Sequence, residues 1–457
     1  MTSYETAVER LYALGHELQQ GVPRKFDLAH MRLLCEALDS PQLRFPSVLV
    51  AGTNGKGSTA ATLASILEAS GCRVGLYTSP HLLRINERIA LNGQPISDEK
   101  FAASHARVTE VAATLVSSGR LPHMPSFFET VTAMAFDFFS RSAVKIAVLE
   151  VGMGGRLDAT NIVEPIMSII TDIDLDHQKY LGNTIAEIAA EKAGILRPNV
   201  PAITLPQHPE ANRVLGQCIL DLGARPVSAV CNVASLSPGA AELVRNTSAG
   251  TCFALRVLGK EVEIVSPLVG RHQLRNLALA ITAAEELAAQ GWAVTTETIA
   301  AGTRQTRWPG RFQRYATTDA RPEIIIDVAH NPAGAWALRS AITDQLNERP
   351  LVLLFGAMAD KAVDQIAQIL WPRMAHVVLT RITGNPRAAS ISTLAELAGS
   401  LGVAHSEAAT VREGLVAAIA RARSLGSEAA IIIAGSIYVA GEAVEAMRRG
   451  YRPAVSS

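Results

Sequence analysis

The stretch Val48-Leu49-Val50-Ala51-Gly52-Thr53-Asn54-Gly55-Lys56-Gly57-Ser58-Thr59 decides how the rest of the chain is read. Three strand-favouring residues, Val48 to Val50, lead into a glycine-rich turn, and a helix-compatible run, Ser58 to Ser70, follows. Strand, loop and helix in that order form a phosphate cradle. Gly52, Gly55 and Gly57 let the backbone turn tightly and present its N–H groups, and the helix N-terminus adds its positive dipole end. Lys56 supplies a point charge, and Ser58 or Thr59 a hydroxyl for a metal. The spacing departs from G-x-x-x-x-G-K-[ST], because Gly57 separates Lys56 from Ser58 and the earlier glycine position holds Val50. The alternative is a plain turn after a strand.

A chain of 457 residues exceeds one ordinary core and implies two or three domains. Lys plus Arg and Asp plus Glu number 42 each, so net charge points to no nucleic-acid or acidic-membrane partner, and phosphate binding has to be local. Cys35, Cys72, Cys218, Cys231 and Cys252 are scattered without C-x-x-C spacing. That argues against a zinc site or a disulfide framework and fits a reducing cytoplasm. No signal-like N-terminal segment is read, and the apolar run Ala429 to Ala434 has only strand length.

Outward from the loop, residues 1 to 45 read as largely helical, with Leu33, Leu34, Ala37 and Leu38 at helical spacing. Arg73 to Tyr77 reads as a strand ending in Thr78-Ser79-Pro80-His81, and Asn92-Gly93 marks a hairpin turn. Ser97-Asp98-Glu99 opens a helix. Phe127 to Ser140 reads as another, before a strand Lys145 to Leu149 with Glu150 at its end. Ile166 to Ile170 likewise ends in polar residues, Thr171 to His177. Several strands thus deliver polar groups to one sheet edge, where open α/β sheets bind ligands. Thr184 to Glu187 is a capping box. On the helix it opens, Lys192 shares the inward stripe of Ile185 and Ile188. A lysine there is a snorkelling side chain, a carboxylate's partner or a functional group, and spacing does not choose.

Cys252 to Val257 and Glu261 to Val265 read as a hairpin about Gly259-Lys260, and Arg271 to Ala289 as a helix. Strands Ile324 to Ile326, Leu351 to Phe355 and Ala430 to Ile433, with a weaker one at Val377 to Leu379, alternate with helices in a second, smaller α/β unit. The boundary falls near Thr303 to Pro309. Glu150 and His177 at strand ends suit a magnesium site with Ser79 and phosphate oxygens, although His177 equally suits a hydrogen-bonding role. Asp327, His330 and Asn331 are site residues or helix caps, and Arg311 reaches a nucleotide or lies solvated. Asn276 inside a helix hints at a side-chain task.

The stretches GTNGKGS from Gly52, TSPHL from Thr78, NERI from Asn86, EVGMGGRLDATN from Glu150, LDHQ from Leu175, EKAGI from Glu191, GRHQ from Gly270, PGRFQ from Pro309, DVAHNP from Asp327, NPRA from Asn385 and AGS from Ala434 span nearly the whole chain. Together they resemble the folylpolyglutamate synthase and dihydrofolate synthase family, relatives of the Mur ligases. The resemblance implies an α/β fold: a P-loop-type ATPase domain with a mostly parallel sheet over residues 1–303, and a smaller Rossmann-like glutamate ligase domain over 304–457 that closes over it. It implies ATP contacts from Asn54, Gly55, Lys56, Gly57, Ser58, Asn276, Arg311 and Asp327, and magnesium on Ser79, Glu150 and His177. Lys56, Lys192 and His177 take catalytic parts, Lys192 as a carbamate. A folate pocket is implied around Phe26, Asp27 and Leu28, at Phe127, Phe128 and Glu129, and at Leu157, Asp158 and Ala159. Phe127 and Phe128 equally suit core packing.

The implied activity is ATP-dependent ligation of L-glutamate to dihydropteroate or to the glutamate tail of folates through an acyl phosphate, by a cytoplasmic monomer with small-molecule partners alone. Two other readings are a Mur-type ligase acting on a cell-wall precursor and a non-catalytic nucleotide-binding protein. The short segment before Val48 disfavours the first. The conjunction of Glu150, His177 and Lys192 disfavours the second.

Overall fold

Ser47–Ala51 (β1) is buried from end to end because both faces of its sheet are covered. Leu49 and Ala51 enter one hydrophobic cluster, while Val48 and Val50 enter the other. This is why the strand reads as a continuous apolar run without alternation. The computed structural model describes residues 3–15, 28–234, 244–247, 250–318 and 321–448. Phe26 and Asp27, from the implied folate pocket, lie outside them.

The sheet continues with Val74–Tyr77 (β2), Ile89–Leu91 (β3), Gln94–Pro95 (β4), Ile146–Glu150 (β5), Pro165–Ile170 (β6), Pro201–Thr204 (β7) and Arg225–Ser228 (β8). The spatial order is β4-β3-β2-β5-β1-β6-β7-β8. The six strands from β2 to β8 in that order are parallel, and β3 and β4 form an antiparallel edge. One face carries helices Asp98–Ser117 and Phe127–Arg141, the other Lys56–Ala69 and Arg271–Ala289. Arg245–Thr247 (β9), Gly250–Val257 (β10) and Lys260–Ser266 (β11) form a small antiparallel sheet. The β10–β11 turn is centred on Leu258-Gly259, one residue earlier than expected. Both residues have positive φ, 49° and 78°, as a two-residue hairpin turn with matched twist requires.

A second sheet of six strands runs through Gln313–Tyr315 (β12), Glu323–Ile326 (β13), Leu351–Phe355 (β14), His376–Thr380 (β15), His405–Ala408 (β16) and Ala430–Ala434 (β17). Its order is β12-β13-β17-β14-β15-β16, parallel except for β12. Its core gathers Ile325, Leu353, Ile432 and Trp371. The chain divides into one compact unit of residues 1–267 and 273–307 and a second of 268–272 and 308–457. Strands β7, β8, β9, β12 and β16 escape the sequence pattern. They are short, and β8 and β16 lie at sheet edges where one-sided burial dilutes the apolar signal.

Candidate active site

In the large sheet β1 lies beside β6; the connection after β1 runs to β2 on one side and that after β6 runs to β7 on the other. The loop after β1 therefore opens into the crevice at a strand-order switch. Its backbone is zipped to the segment after β6. Thr171 N–H donates to the Ala51 carbonyl at 2.8 Å, and Thr53 and Asn54 N–H both donate to the Asp172 carbonyl, at 2.8 and 3.1 Å. Thr53 Oγ1 donates to the Asp174 carbonyl and accepts from the Asp174 N–H, both at 3.0 Å.

Two glycines are indispensable here. Gly52, at φ +151°, would place a Cβ 1.8 Å from Thr171 Oγ1, and Gly55, at φ +90°, would place one 2.1 Å from Asn276 Oδ1. Gly57 differs from the expectation of a third turning glycine: it already lies in the helix, which starts at Lys56 and not at Ser58. The position after Lys56 is thus helical, and this carries Ser58 into the buried first turn. Ser58 Oγ is buried with no hydrogen-bond partner. A buried hydroxyl beside a helix N-terminus fits a phosphate or metal-bound oxygen that would satisfy it.

Two lysines converge on the loop. Lys56 Nζ donates to the Gly52 and Thr53 carbonyls at 3.1 and 3.2 Å, and Lys192 Nζ donates to the Gly52 carbonyl at 2.7 Å. Lys192, in helix Ile185–Ala193, is only 3% exposed. Burial pushes its pKa down from the ordinary 10.5 to about 7. The Lys56 charge pushes the same way, and Asp176 and Asp158 oppose them. Spacing left Lys192 open; the structure places it against the glycine-rich loop, buried, with its pKa pushed down to about 7.

Strand register brings Ser79 to Glu150. Tyr77 pairs with Leu149, so the chain beyond β2 runs past Glu150, whose Oε2 accepts from Ser79 N–H at 3.1 Å. Glu150 is 4% exposed and sits level with Val50 of β1. His177 follows the segment zipped to the loop, at φ +51°; its N–H donates to Asp176 Oδ1 at 2.8 Å, and its Nε2 lies 3.8 Å from Asp176 Oδ2. Among the described residues no three His, Cys, Asp or Glu side chains gather into a metal cage. A serine, a carboxylate and an imidazole are a sparse set of protein ligands of the kind magnesium accepts.

The implied folate residues among those described lie in the first unit. Phe128 packs over Gly152, where a Cβ would stand 2.4 Å from its ring, and lies 6.1 Å from the Tyr77 ring. Phe127 is buried, stacked on Tyr12 at 5.7 Å with the Arg88 guanidinium over its ring. The Glu129 carboxylate caps its own helix, accepting from Ser126 N–H and Oγ at 2.8 Å. Asp158 is buried and accepts from the N–H groups of Met153 and Thr160 at 3.0 Å, with Ala159 buried and Leu157 half-buried beside it. Leu28 opens helix Leu28–Ala37.

Asn276 belongs to the first unit, where it packs on Gly55 and donates from Nδ2 to Gln273 Oε1 at 2.9 Å. Arg311 and Asp327 belong to the second. There Asp327 accepts from Phe312 N–H and Ala329 N–H, both at 2.9 Å. Burial pushes the pKa of Asp327 up, against the nearby Arg311 charge. Asn331 caps helix Pro332–Leu346 through Gly334 N–H, and His330 Nδ1 lies 2.8 Å from the Val328 carbonyl. Sequence reading gave no part to Thr53 or Arg275. The only available signal was Arg275's place next to Asn276.

The profile of the Mur ligase middle domain matches residues 50–284, and that of the Mur ligase glutamate ligase domain matches 310–437. Fold and site therefore define a Mur-type ligase. A folylpolyglutamate synthase of Lacticaseibacillus casei is 36% identical over 79% of this chain and 82% of its own. A dihydrofolate synthase/folylpolyglutamate synthase of Mycobacterium tuberculosis is 35% identical over 95% of this chain and 93% of its own. A crystal structure of Mycobacterium tuberculosis folylpolyglutamate synthase, complexed with ADP and AMPPCP, superposes with a TM-score of 0.86 at 33% identity, covering 98% of this chain and 99% of that one. The chain belongs to the folylpolyglutamate synthase/dihydrofolate synthase family.

Proposed function

We propose that the chain is an ATP-dependent carboxylate–amine ligase that adds L-glutamate both to dihydropteroate and to the glutamate tail of reduced folates. The observation that carries the reading is the loop of residues 52–58, with two buried-side lysines on one carbonyl and a buried, unsatisfied Ser58 hydroxyl. A carboxylate does not readily acylate an amine in water. The γ-phosphoryl group passes first to the substrate carboxylate, releasing ADP and leaving an acyl phosphate. The glutamate amine, having lost its proton, attacks the acyl carbon, and inorganic phosphate departs with the bonding pair of the C–O bond.

In this reading Gly55 and Gly57 offer backbone N–H groups to the ATP phosphates, Asn54 its side-chain amide, Ser58 its hydroxyl, and Lys56 a charge for the transferred oxygens. Asn276, Arg311 and Asp327 take the nucleotide contacts that the family resemblance assigns to them. Ser79, Glu150 and His177 hold magnesium, which when bound neutralises charge on the phosphoryl oxygens. Lys192 is carbamylated: its neutral amine adds to carbon dioxide and sheds a proton, turning a buried cation into an anion. A plain amine in both a native mass spectrum and a crystal map would remove that part. Phe127, Phe128, Glu129, Leu157, Asp158 and Ala159 border the pterin acid. The enzyme acts as a cytoplasmic monomer.

The test is phosphate release with ATP and labelled glutamate, offering dihydropteroate and tetrahydrofolate separately. Turnover on both is expected, and Lys56→Ala should lose it while keeping its fold. Near-normal turnover in that variant would sink the loop assignment.

A further inference from the structure

We propose that Arg275 and Asp172 form an electrostatic clamp that sets the shape and charge of the phosphate loop, making Arg275 a positioning residue for nucleotide binding. The inference rests on the proposed role of the loop. Asp172 meets the loop through its backbone, its carbonyl accepting from Thr53 and Asn54 N–H at 2.8 and 3.1 Å. Its carboxylate is held by the Arg275 guanidinium, with Nε 3.1 and 3.0 Å from the two oxygens and Nη2 2.6 Å from Oδ1. Arg275 Nη2 also donates to the Pro206 carbonyl at 2.9 Å. The neighbouring Gln207 spans the same segment, accepting from Ile173 N–H at 2.8 Å and donating to the Thr171 carbonyl at 3.2 Å. One side chain thus fixes the strand end on which the loop is zipped.

Arg275 precedes Asn276, whose side chain lies against Gly55 on the loop's other side. Helix Arg271–Ala289 therefore meets the loop directly through Asn276 and, by way of Asp172, through Arg275. The charge arrangement matters more than the contact. A carboxylate beside a polyphosphate loop repels its ligand, and the forked guanidinium cancels that charge in place. The side chains of Arg275 and Asp172 are 31% and 36% exposed, so the pair contributes little to folding, and its effect falls on the ligand.

This predicts an asymmetry that a merely structural contact would not produce. Removing Arg275 strands a negative charge beside the phosphates; removing Asp172 does not. The experiment measures affinity for a non-hydrolysable ATP analogue with magnesium by titration calorimetry in the full chain. Arg275→Met is expected to weaken binding about tenfold at low salt and Asp172→Asn about threefold or less, with the double variant recovering to the Asp172→Asn level. The Arg275→Met deficit should shrink as added salt shortens the screening length. Equal affinities in all four proteins, or a double variant as weak as Arg275→Met, overturn the clamp. Arg275→Lys keeps the charge but not the fork and serves where the methionine variant does not fold; it is expected to lose about threefold, less than Arg275→Met, and a tenfold loss in it also overturns the proposal. Lys56→Ala separates this from the loop reading. If wild type fails to bind the analogue, or Lys56→Ala binds it equally well, the loop assignment itself is wrong; analogue binding that is lost in Lys56→Ala but unchanged in Arg275→Met defeats the clamp alone.

Discussion

Lys192→Met should stabilise the protein while abolishing its turnover, and the size of the gain should depend on pH. Burial lowers the Lys192 pKa from 10.5 to about 7 in the folded chain. At about 1.4 kcal/mol per tenfold change in proton affinity, that fall has an upper bound on the order of 5 kcal/mol. Against this stands the hydrogen bond from Nζ to the Gly52 carbonyl, 2.7 Å long, whose loss costs about 1–2 kcal/mol. The net gain for a methionine of similar volume is about 3 kcal/mol near neutrality, a rise of roughly 5 °C in melting temperature for a unit of this size. The sign follows from proton counting. Between pH 10.5 and about 7 the unfolded lysine holds a proton that the folded one has lost. Wild-type stability therefore falls as pH is lowered through that window and levels off below it. Lys192→Met has no such slope, so its advantage is full below about pH 7 and vanishes toward pH 10.5. Urea unfolding of both proteins in carbon dioxide-depleted buffers across this range measures it. A difference that does not change with pH, or a methionine variant less stable than wild type at pH 7, refutes the reasoning.

Three further outcomes can be checked directly. Ser58→Ala should leave thermal unfolding within about 0.5 kcal/mol of wild type, since Ser58 Oγ has no partner to lose, yet weaken nucleotide binding in calorimetry. Gly55→Ala combines a φ of +90° with a Cβ 2.1 Å from Asn276 Oδ1. It should cost about 2–4 kcal/mol by urea unfolding and remove analogue binding. Asp327→Ala orphans the Phe312 and Ala329 N–H groups; at about 1–3 kcal/mol for each unsatisfied donor it should destabilise the second unit by about 2–4 kcal/mol, read by differential scanning calorimetry.

Much of the fold is legible in particular runs. Leu351 to Phe355 and Arg271 to Ala289 appear with the bounds their patterns suggest, because strong periodicity and clear breakers leave one solution. Strands such as Arg225–Ser228 were not legible, being exposed and polar and held by the neighbour β7 more than by their own residues. Within the loop, residue types announced phosphate chemistry, but the division of labour among the glycines did not show. Gly52 and Gly55 are required by Thr171 and Asn276, which lie 119 and 221 residues downstream.

The sequence by itself determined the class of chemistry. A strand, a glycine loop with Lys56 and Ser58, and polar residues at successive strand ends specify phosphate handling at one sheet edge, because those are local properties of backbone freedom, charge and helix start. Only the tertiary structure decided what each group does there. The parallel register of β2 with β5 sets Glu150 beside Ser79, and that of β1 with β6 zips Thr53 onto Asp172. Burial turns Lys192 from an ordinary lysine into an amine that titrates near neutrality. Desolvation and long-range contact depend on what the rest of the chain places around a residue, and no window of sequence carries that information.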